Sequence, residues 1–117
     1  MLFFGDWIPI CHYEADLLQN EEIKIINLEC VISDIHNLRT DKAYSIILKE
    51  TAWQNLKISK NIFVNVANNH TCDAGVAAFH TFLSRLDELN IPYYGTAQRP
   101  FIALEEDDVK HIVIGGL

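Results

Sequence analysis

Cysteine, basic residues and long apolar runs are all scarce in this chain of 117 residues. Its three cysteines, Cys11, Cys30 and Cys72, form no CxxC pair, and their odd number argues against a complete disulfide framework. Reduced thiols in a cytosolic chain are therefore the simplest expectation. Lysine and arginine together number 9 against 16 acidic residues, which gives a net charge of -7. This balance argues against binding to the phosphate backbone of nucleic acids.

No apolar run approaches the ~20 residues of a membrane-spanning helix. The N-terminal stretch "MLFFGDWIP" also lacks the basic residues that begin a signal peptide. We therefore expect a cytoplasmic protein, or a membrane-associated or extracytoplasmic one if an N-terminal anchor has been lost. Hydrophobic residues make up 50% of the chain and charged residues 21%, a composition typical of a globular domain. Residues 1–117 are expected to form a single domain, and an incomplete one, for reasons given below.

Short stretches rich in apolar and β-branched residues predict several strands. These stretches cover residues 2–5, 23–29 and 62–68. The last of them is apolar enough for a strand buried on both faces. Near the C-terminus, two further strands are predicted around an acidic turn at Glu105–Asp108. The mixed composition of residues 30–44 favours a loop.

Helical patterns lie between the predicted strands. The clearest covers residues 75–89, where apolar side chains recur at the spacing of a helix. This stripe consists of Val76, Phe79, Phe82, Leu83, Leu86 and Leu89. Shorter helical segments are predicted at residues 14–20 and 50–57. Because strands and helices alternate, the chain is predicted to adopt an α/β fold with a mainly parallel sheet.

Polar side chains stand where the predicted strands end. Asp6 follows the first strand, Glu29 ends the second, and Asn69 and His70 follow the third. Ligands bind beyond the carboxyl ends of the strands in such sheets, so these side chains are expected to share one edge. Carboxylate, amide and imidazole groups together suit a divalent Mn, Fe, Zn or Mg ion, which would also allow two carboxylates to lie side by side. His70 could bind the ion or donate a proton.

The same residues also have ordinary structural interpretations. Asp6 could begin a turn, and Glu29 could be a solvated strand end. Asn68 and Asn69 could be turn formers. His70 could be a loop histidine bonded to backbone. Their occurrence together at successive strand ends is what favours a shared site.

Three other motifs allow alternative interpretations. Asp73 is well placed to cap the N-terminus of the following helix. Cys30 and Cys72 lie near the predicted site, so a zinc site of cysteine and histidine is conceivable, although their spacing matches no zinc finger or ribbon. Cys11 and His12 could form a nucleophile and base, but adjacent residues seldom have suitable geometry.

Four stretches, taken in their order along the chain, resemble the CapA-type family of poly-γ-glutamate capsule biosynthesis proteins, which are related to calcineurin-like metallophosphoesterases. They are "FFGDWIP", "INLECVIS", "VANNHTCDAG" and "HTFLSRLDELNIPYYGT". The resemblance covers nearly the whole chain, and Asn-Asn-His-x-x-Asp-x-Gly with Asn-Leu-Glu upstream is its most specific part. It implies half of a metallophosphoesterase-like α/β/β/α sandwich.

The resemblance also implies roles for particular residues. Asp6, Glu29 and Asn69 would bind the divalent metal, and His70 would be a further ligand or the catalytic acid. Residues expected to support this site are Asn27, Asn68 and Asp73. The implied activity is metal-assisted hydrolysis or transfer at a phosphoryl or acyl centre during the synthesis, export or anchoring of capsular polymer.

The chain departs from the pattern of its relatives in two ways. Metallophosphoesterases carry Asp-x-His at the first strand, whereas here Ile8 stands two residues after Asp6. The family also has a second half with further histidines, which a missing C-terminal half or a second chain would have to supply. Capsule synthase subunits or the polymer itself are the expected partners. The alternative function is a non-catalytic accessory protein that binds them, and a third is an unrelated α/β binding domain.

Overall fold

The computed structural model describes residues 1–9, 18–34 and 44–115. The strands, in chain order, are β1 (Leu2–Trp7), β2 (Lys24–Leu28), β3 (Val31–Ile32), β4 (Ile47–Leu48), β5 (Ile62–Asn65), β6 (Tyr93–Tyr94), β7 (Phe101–Glu106) and β8 (Val109–Ile114). The α-helices are α1 (Trp53–Lys57), which follows a 3₁₀ turn at Glu50–Ala52, and α2 (Val76–Glu88). No helix in these ranges combines the length and apolar character needed to cross a membrane.

The main sheet is parallel and has the strand order β1-β2-β5-β6. On the central strand β2, Ile25 and Ile26 point to opposite faces and are 4% and 1% exposed, so both faces are covered. Helix α2 lies in the crossover from β5 to β6, as a parallel connection requires. These features confirm the predicted α/β fold. A half sandwich and a single domain over 1–117 stay predictions.

Helix α2 buries the stripe that its sequence predicts, apart from its first member. Phe82 and Leu86 lie in the core, 1% and 0% exposed. Leu83 packs against the core and is partly buried. Val76 is 64% exposed. It is the first residue of the helix and precedes the residues of the stripe that are buried in the core. Gly75 precedes it with φ 93°, a conformation that favours glycine.

Several predicted boundaries were wrong. β1 does not stop before Asp6 but continues to Trp7, because the ladder with β2 resumes after an irregularity between Phe3 and Asp6. The third strand ends at Asn65 instead of residue 68. The predicted loop of residues 30–44 contains a short strand, β3, which pairs with β4 beyond the loop. Local composition does not reveal such a pairing between distant residues. Residues 10–17 and 35–43 lie outside the described residues, so most of the predicted helix at 14–20 is untested.

Strands β7 and β8 form the predicted antiparallel hairpin. Its turn is narrower than expected, since Glu105 and Glu106 still belong to β7. Asp107 and Asp108 adopt φ of 52° and 60°, and two positive φ values are typical of a tight two-residue hairpin turn.

Candidate functional site

Polar side chains from three strands meet at one edge of the main sheet. Asp6 on β1 lies beside Asn27 on β2, and Asn27 lies beside Asn65 on β5. This alignment follows from the parallel register, which brings the carboxyl ends of the strands together. The edge contains a cavity of about 450 Å³. It is lined by Asp6, Asn27, Glu29, Asn65, Ala67, Asn68 and Asn69.

Asn27 is the centre of the hydrogen bonds in this cavity. Its Nδ2 donates to Oδ1 of Asp6 at 2.6 Å and to Oε2 of Glu29 at 2.8 Å. Its Oδ1 accepts from Nδ2 of Asn65 at 3.0 Å and from Nδ2 of Asn68 at 3.2 Å. Because one amide has two N–H groups and two lone pairs, Asn27 uses its full capacity.

Backbone contacts fix the orientation of these amides. Asn68 donates through Nδ2 to the carbonyl oxygen of Leu28 at 2.8 Å, and its Oδ1 accepts from the backbone N–H of His70 at 3.0 Å. Oδ1 of Asn65 accepts from the backbone N–H of Ala67 at 3.2 Å. Asn65 and Asn68 therefore both donate N–H groups to Oδ1 of Asn27. This fixes the Asn27 side chain with its own N–H groups toward the two carboxylates.

The two carboxylates have opposite shifts in pKa. The hydrogen bond from Asn27, followed by one with Glu29, lowers the pKa of Asp6. Burial, followed by the hydrogen bond with Asp6, raises the pKa of Glu29. Like charges this close favour the uptake of a proton when no cation separates them, and the raised pKa makes Glu29 the carboxylate that takes up a proton more readily.

His70 is held in a buried pair with Asp73. Its Nδ1 lies 2.6 Å from Oδ2 of Asp73, and the same oxygen accepts from the backbone N–H of Ile46 at 2.6 Å. His70 is 2% exposed and Asp73 0%. A carboxylate at Nδ1 favours a proton on that nitrogen and leaves Nε2 facing Glu29, whose Oε1 lies 3.9 Å away.

The alternative in which Asp73 caps the following helix was wrong. The N-cap of α2 is Gly75, and no side chain bonds to the start of that helix. Asp73 is instead paired with His70 and accepts a hydrogen bond from the backbone N–H of Ile46. The sequence could not separate these roles because capping depends on local spacing, whereas the contact with Ile46 spans 27 residues.

Sequence reasoning missed two residues of this region. Asn65 interrupts the apolar run "IFVNVAN", and an amide within a strand was the available signal. Tyr44 lies with its ring centroid 5.3 Å from that of His70 and is 67% exposed. Tyr44 ends the stretch predicted to be a loop, and no local pattern there indicates a contact with His70.

The cysteines lend no support to a zinc site. Cys30 is fully buried, and burial raises the pKa of its thiol to about 12. Among the described residues, no group of three cysteine, histidine or acidic side chains comes together to form such a site. Cys72 is half-buried. The proposed pair of Cys11 and His12 lies outside the described residues.

This burial predicts selective alkylation of the native protein. Iodoacetamide at pH 8 is expected to modify Cys72 while leaving Cys30 unmodified, because alkylation needs an accessible thiolate. Peptide mass mapping of the two sites before and after unfolding in urea provides the measurement. Rapid modification of native Cys30 would contradict its burial in the core.

The donor types around the cavity fit a divalent cation. The carboxylates of Asp6 and Glu29 supply oxygen donors, and Asn27 bonds one oxygen of each. The exposed amide of Asn69 lines the same cavity. Oxygen donors of this kind are those that Mg and Mn prefer. Within the described ranges, however, no three histidine, cysteine or acidic side chains converge into a ready-made metal cluster.

Comparison with known families gives a match over most of the chain. The family described as "Bacterial capsule synthesis protein PGA_cap" matches residues 5–111. The matched range includes all the predicted site residues, from Asp6 to Asp73. A search of curated proteins finds no match.

Proposed function

This chain belongs to the bacterial capsule synthesis protein family PGA_cap, and we propose that it contributes to capsule biosynthesis through a divalent metal site at the strand ends. The reaction class is metal-assisted hydrolysis or transfer at a phosphoryl or acyl centre. The observation that carries the proposal is the pair of carboxylates, Asp6 and Glu29, which Asn27 holds together through both of its N–H groups. An arrangement that brings two acids together needs a compensating positive charge or a proton.

Asp6, Glu29 and Asn69 are the residues that would hold the cation, with Mn, Fe, Zn and Mg as candidates. When bound, such an ion supplies Lewis acidity toward a phosphoryl oxygen and toward water. The protein contributes the fixed orientation of the donors. Asn27 and Asn68 support this role. Asn68 bonds both a backbone carbonyl and the Asn27 side chain, and Asn27 in turn donates to the two carboxylates.

His70 is the candidate proton donor, or a further ligand. Asp73 accepts the Nδ1 hydrogen bond, so Nε2 is the nitrogen that faces Glu29 at the cavity. A protonated Nε2 could donate to a leaving oxygen, a role that a histidine fills well near neutral pH. The hydrogen bond to the buried Asp73 restricts rotation of the imidazole, so that Nε2 keeps a fixed orientation.

Isothermal titration with Mn²⁺ tests the proposal. The wild-type chain is expected to bind one ion, and Asn69→Ala is expected to weaken the binding by at least about tenfold through loss of an oxygen donor. Gln54→Ala is the matched control, because it removes an exposed amide on α1 that does not line the cavity. Equal affinities for Mn²⁺ in wild type and Asn69→Ala, or no binding by either, would refute the proposal.

A non-catalytic accessory role is the second candidate. The observation that favours it is the apolar face of the β7–β8 hairpin, where Phe101, Ile112 and Ile114 are 53%, 68% and 72% exposed. Exposed apolar patches of this kind mark interaction surfaces. The partners proposed for it are capsule synthase subunits or the polymer, or a C-terminal half or second chain that supplies further histidines. An intact protein that binds a synthase subunit but no Mn²⁺ would favour this role.

A further inference from the structure

A second cavity adjoins the one at the strand ends. It has a volume of about 600 Å³ and lies between α2 and the segment of residues 95–99 that follows β6. Ala67 and Asn68 line both cavities, so a ligand could extend from one into the other. The volume falls within the range of roughly 300–1,000 Å³ that is typical of small-molecule sites. We call this second cavity the α2 groove.

The α2 groove combines an apolar wall with neutral polar groups. Phe79 and Leu83 of α2 form the apolar wall and pack against the core on their other sides. The neutral side chains that can form hydrogen bonds in the groove include Thr71, Ser84, Thr96 and Gln98. Such a lining suits a ligand that has both an apolar face and many hydroxyl groups.

The full charges in the groove lining cancel. Arg99 binds Asp87 through two hydrogen bonds, with Nη1 at 2.8 Å from Oδ1 and Nη2 at 3.3 Å from Oδ2. The guanidinium also lies 4.2 Å from the ring centroid of Tyr93. Asp87 and the ring thus hold Arg99 in place, and its charge is already compensated within the groove.

We infer that the α2 groove binds a neutral hexose unit of a substrate whose phosphoryl group reaches the cavity at the strand ends. The inference rests on the proposed function, since it assigns the substrate class of that same site. A pyranose ring has an apolar C–H face that can pack on Phe79 and hydroxyls that can reach the polar side chains. A polyanion is not favoured, because Arg99 in the groove lining is already paired with Asp87 and the chain as a whole has a net charge of -7.

Titration calorimetry in the presence of Mn²⁺ compares hexose 1-phosphates with inorganic phosphate. The 1-phosphates of glucose, galactose and N-acetylglucosamine serve as probes, and at least one is expected to bind about tenfold more tightly than phosphate because the sugar adds contacts in the groove. Ala97→Trp, an exposed alanine in the groove lining, is expected to abolish that gain without changing the affinity for phosphate. Ala77→Trp, an exposed alanine of α2 that does not line the groove, is the matched control. Ser84→Trp provides a second groove variant.

The outcomes separate this inference from the proposed function. If Mn²⁺ and phosphate bind but no hexose 1-phosphate binds more tightly than phosphate, the inference fails alone. A γ-glutamyl tripeptide that binds in wild type and not in Ala97→Trp would also overturn it. If Mn²⁺ does not bind, the methyl glycosides of the same three sugars test the groove by changes in the amide NMR signals of residues 96–99, and unchanged signals would overturn the inference.

Discussion

Replacing Glu29 with glutamine is expected to remove measurable binding of Mn²⁺. The substitution keeps the size of the side chain and an oxygen that can accept from Nδ2 of Asn27. It removes the negative charge that a divalent cation requires, so the loss of affinity should exceed the roughly 10–100-fold that follows loss of a supporting hydrogen bond. Isothermal titration of folded variants, with folding checked by circular dichroism, gives the measurement.

Glu105→Gln is the matched control for this experiment. Glu105 lies on the exposed side of the β7–β8 hairpin, close to Asp107 and Asp108, so its neutralisation removes the same charge from a different acidic region. The control is expected to bind Mn²⁺ like wild type. Loss of binding in Glu105→Gln with retention in Glu29→Gln would move the cation site to the hairpin turn.

Replacing Asp73 with alanine is expected to lower the free energy of unfolding by about 2–6 kcal/mol, since each of two buried donors left without an acceptor costs about 1–3 kcal/mol. Asp73 is fully buried, and its Oδ2 accepts from both His70 and the backbone N–H of Ile46. Truncation would leave both donors without this acceptor in a region closed to water. Urea unfolding followed by tryptophan fluorescence measures the change.

Asp34→Ala supplies the comparison for this measurement. Asp34 is also an aspartate that accepts from a backbone N–H, that of Glu50 at 3.2 Å, but it is exposed. Its removal should cost only about 1 kcal/mol, because water replaces the lost acceptor. If Asp73→Ala costs no more than Asp34→Ala, the buried pair does not stabilise the fold.

The features that follow from local periodicity could be predicted from the sequence. Helix α2 and the hairpin were found because their apolar patterns repeat at the spacing of a helix and of a strand. The meeting of Asp6 with Glu29 also followed from a general rule, that parallel strands bring their carboxyl ends to one edge. The structure places both carboxylates in one cavity, joined through Asn27.

The remaining features depend on contacts between distant residues. The direction of the Asn27 amide is determined by Asn65 and Asn68, which lie 38 and 41 residues away. The contact of Tyr44 with His70 likewise depends on the pairing of β3 with β4. A local pattern contains no information about such pairings, so the sequence could name candidate ligands but not the hydrogen bonds that orient them.

The central claim is that a divalent cation binds between the carboxylates at the strand ends, and paramagnetic NMR tests it most directly. Substoichiometric Mn²⁺ broadens the signals of nearby nuclei, so a titration of the ¹⁵N-labelled chain locates the ion. We expect the earliest broadening at the amides of Asn27, Glu29 and Asn69. Earliest broadening at Asp107 and Asp108, with the strand-end amides unaffected, would contradict the claim.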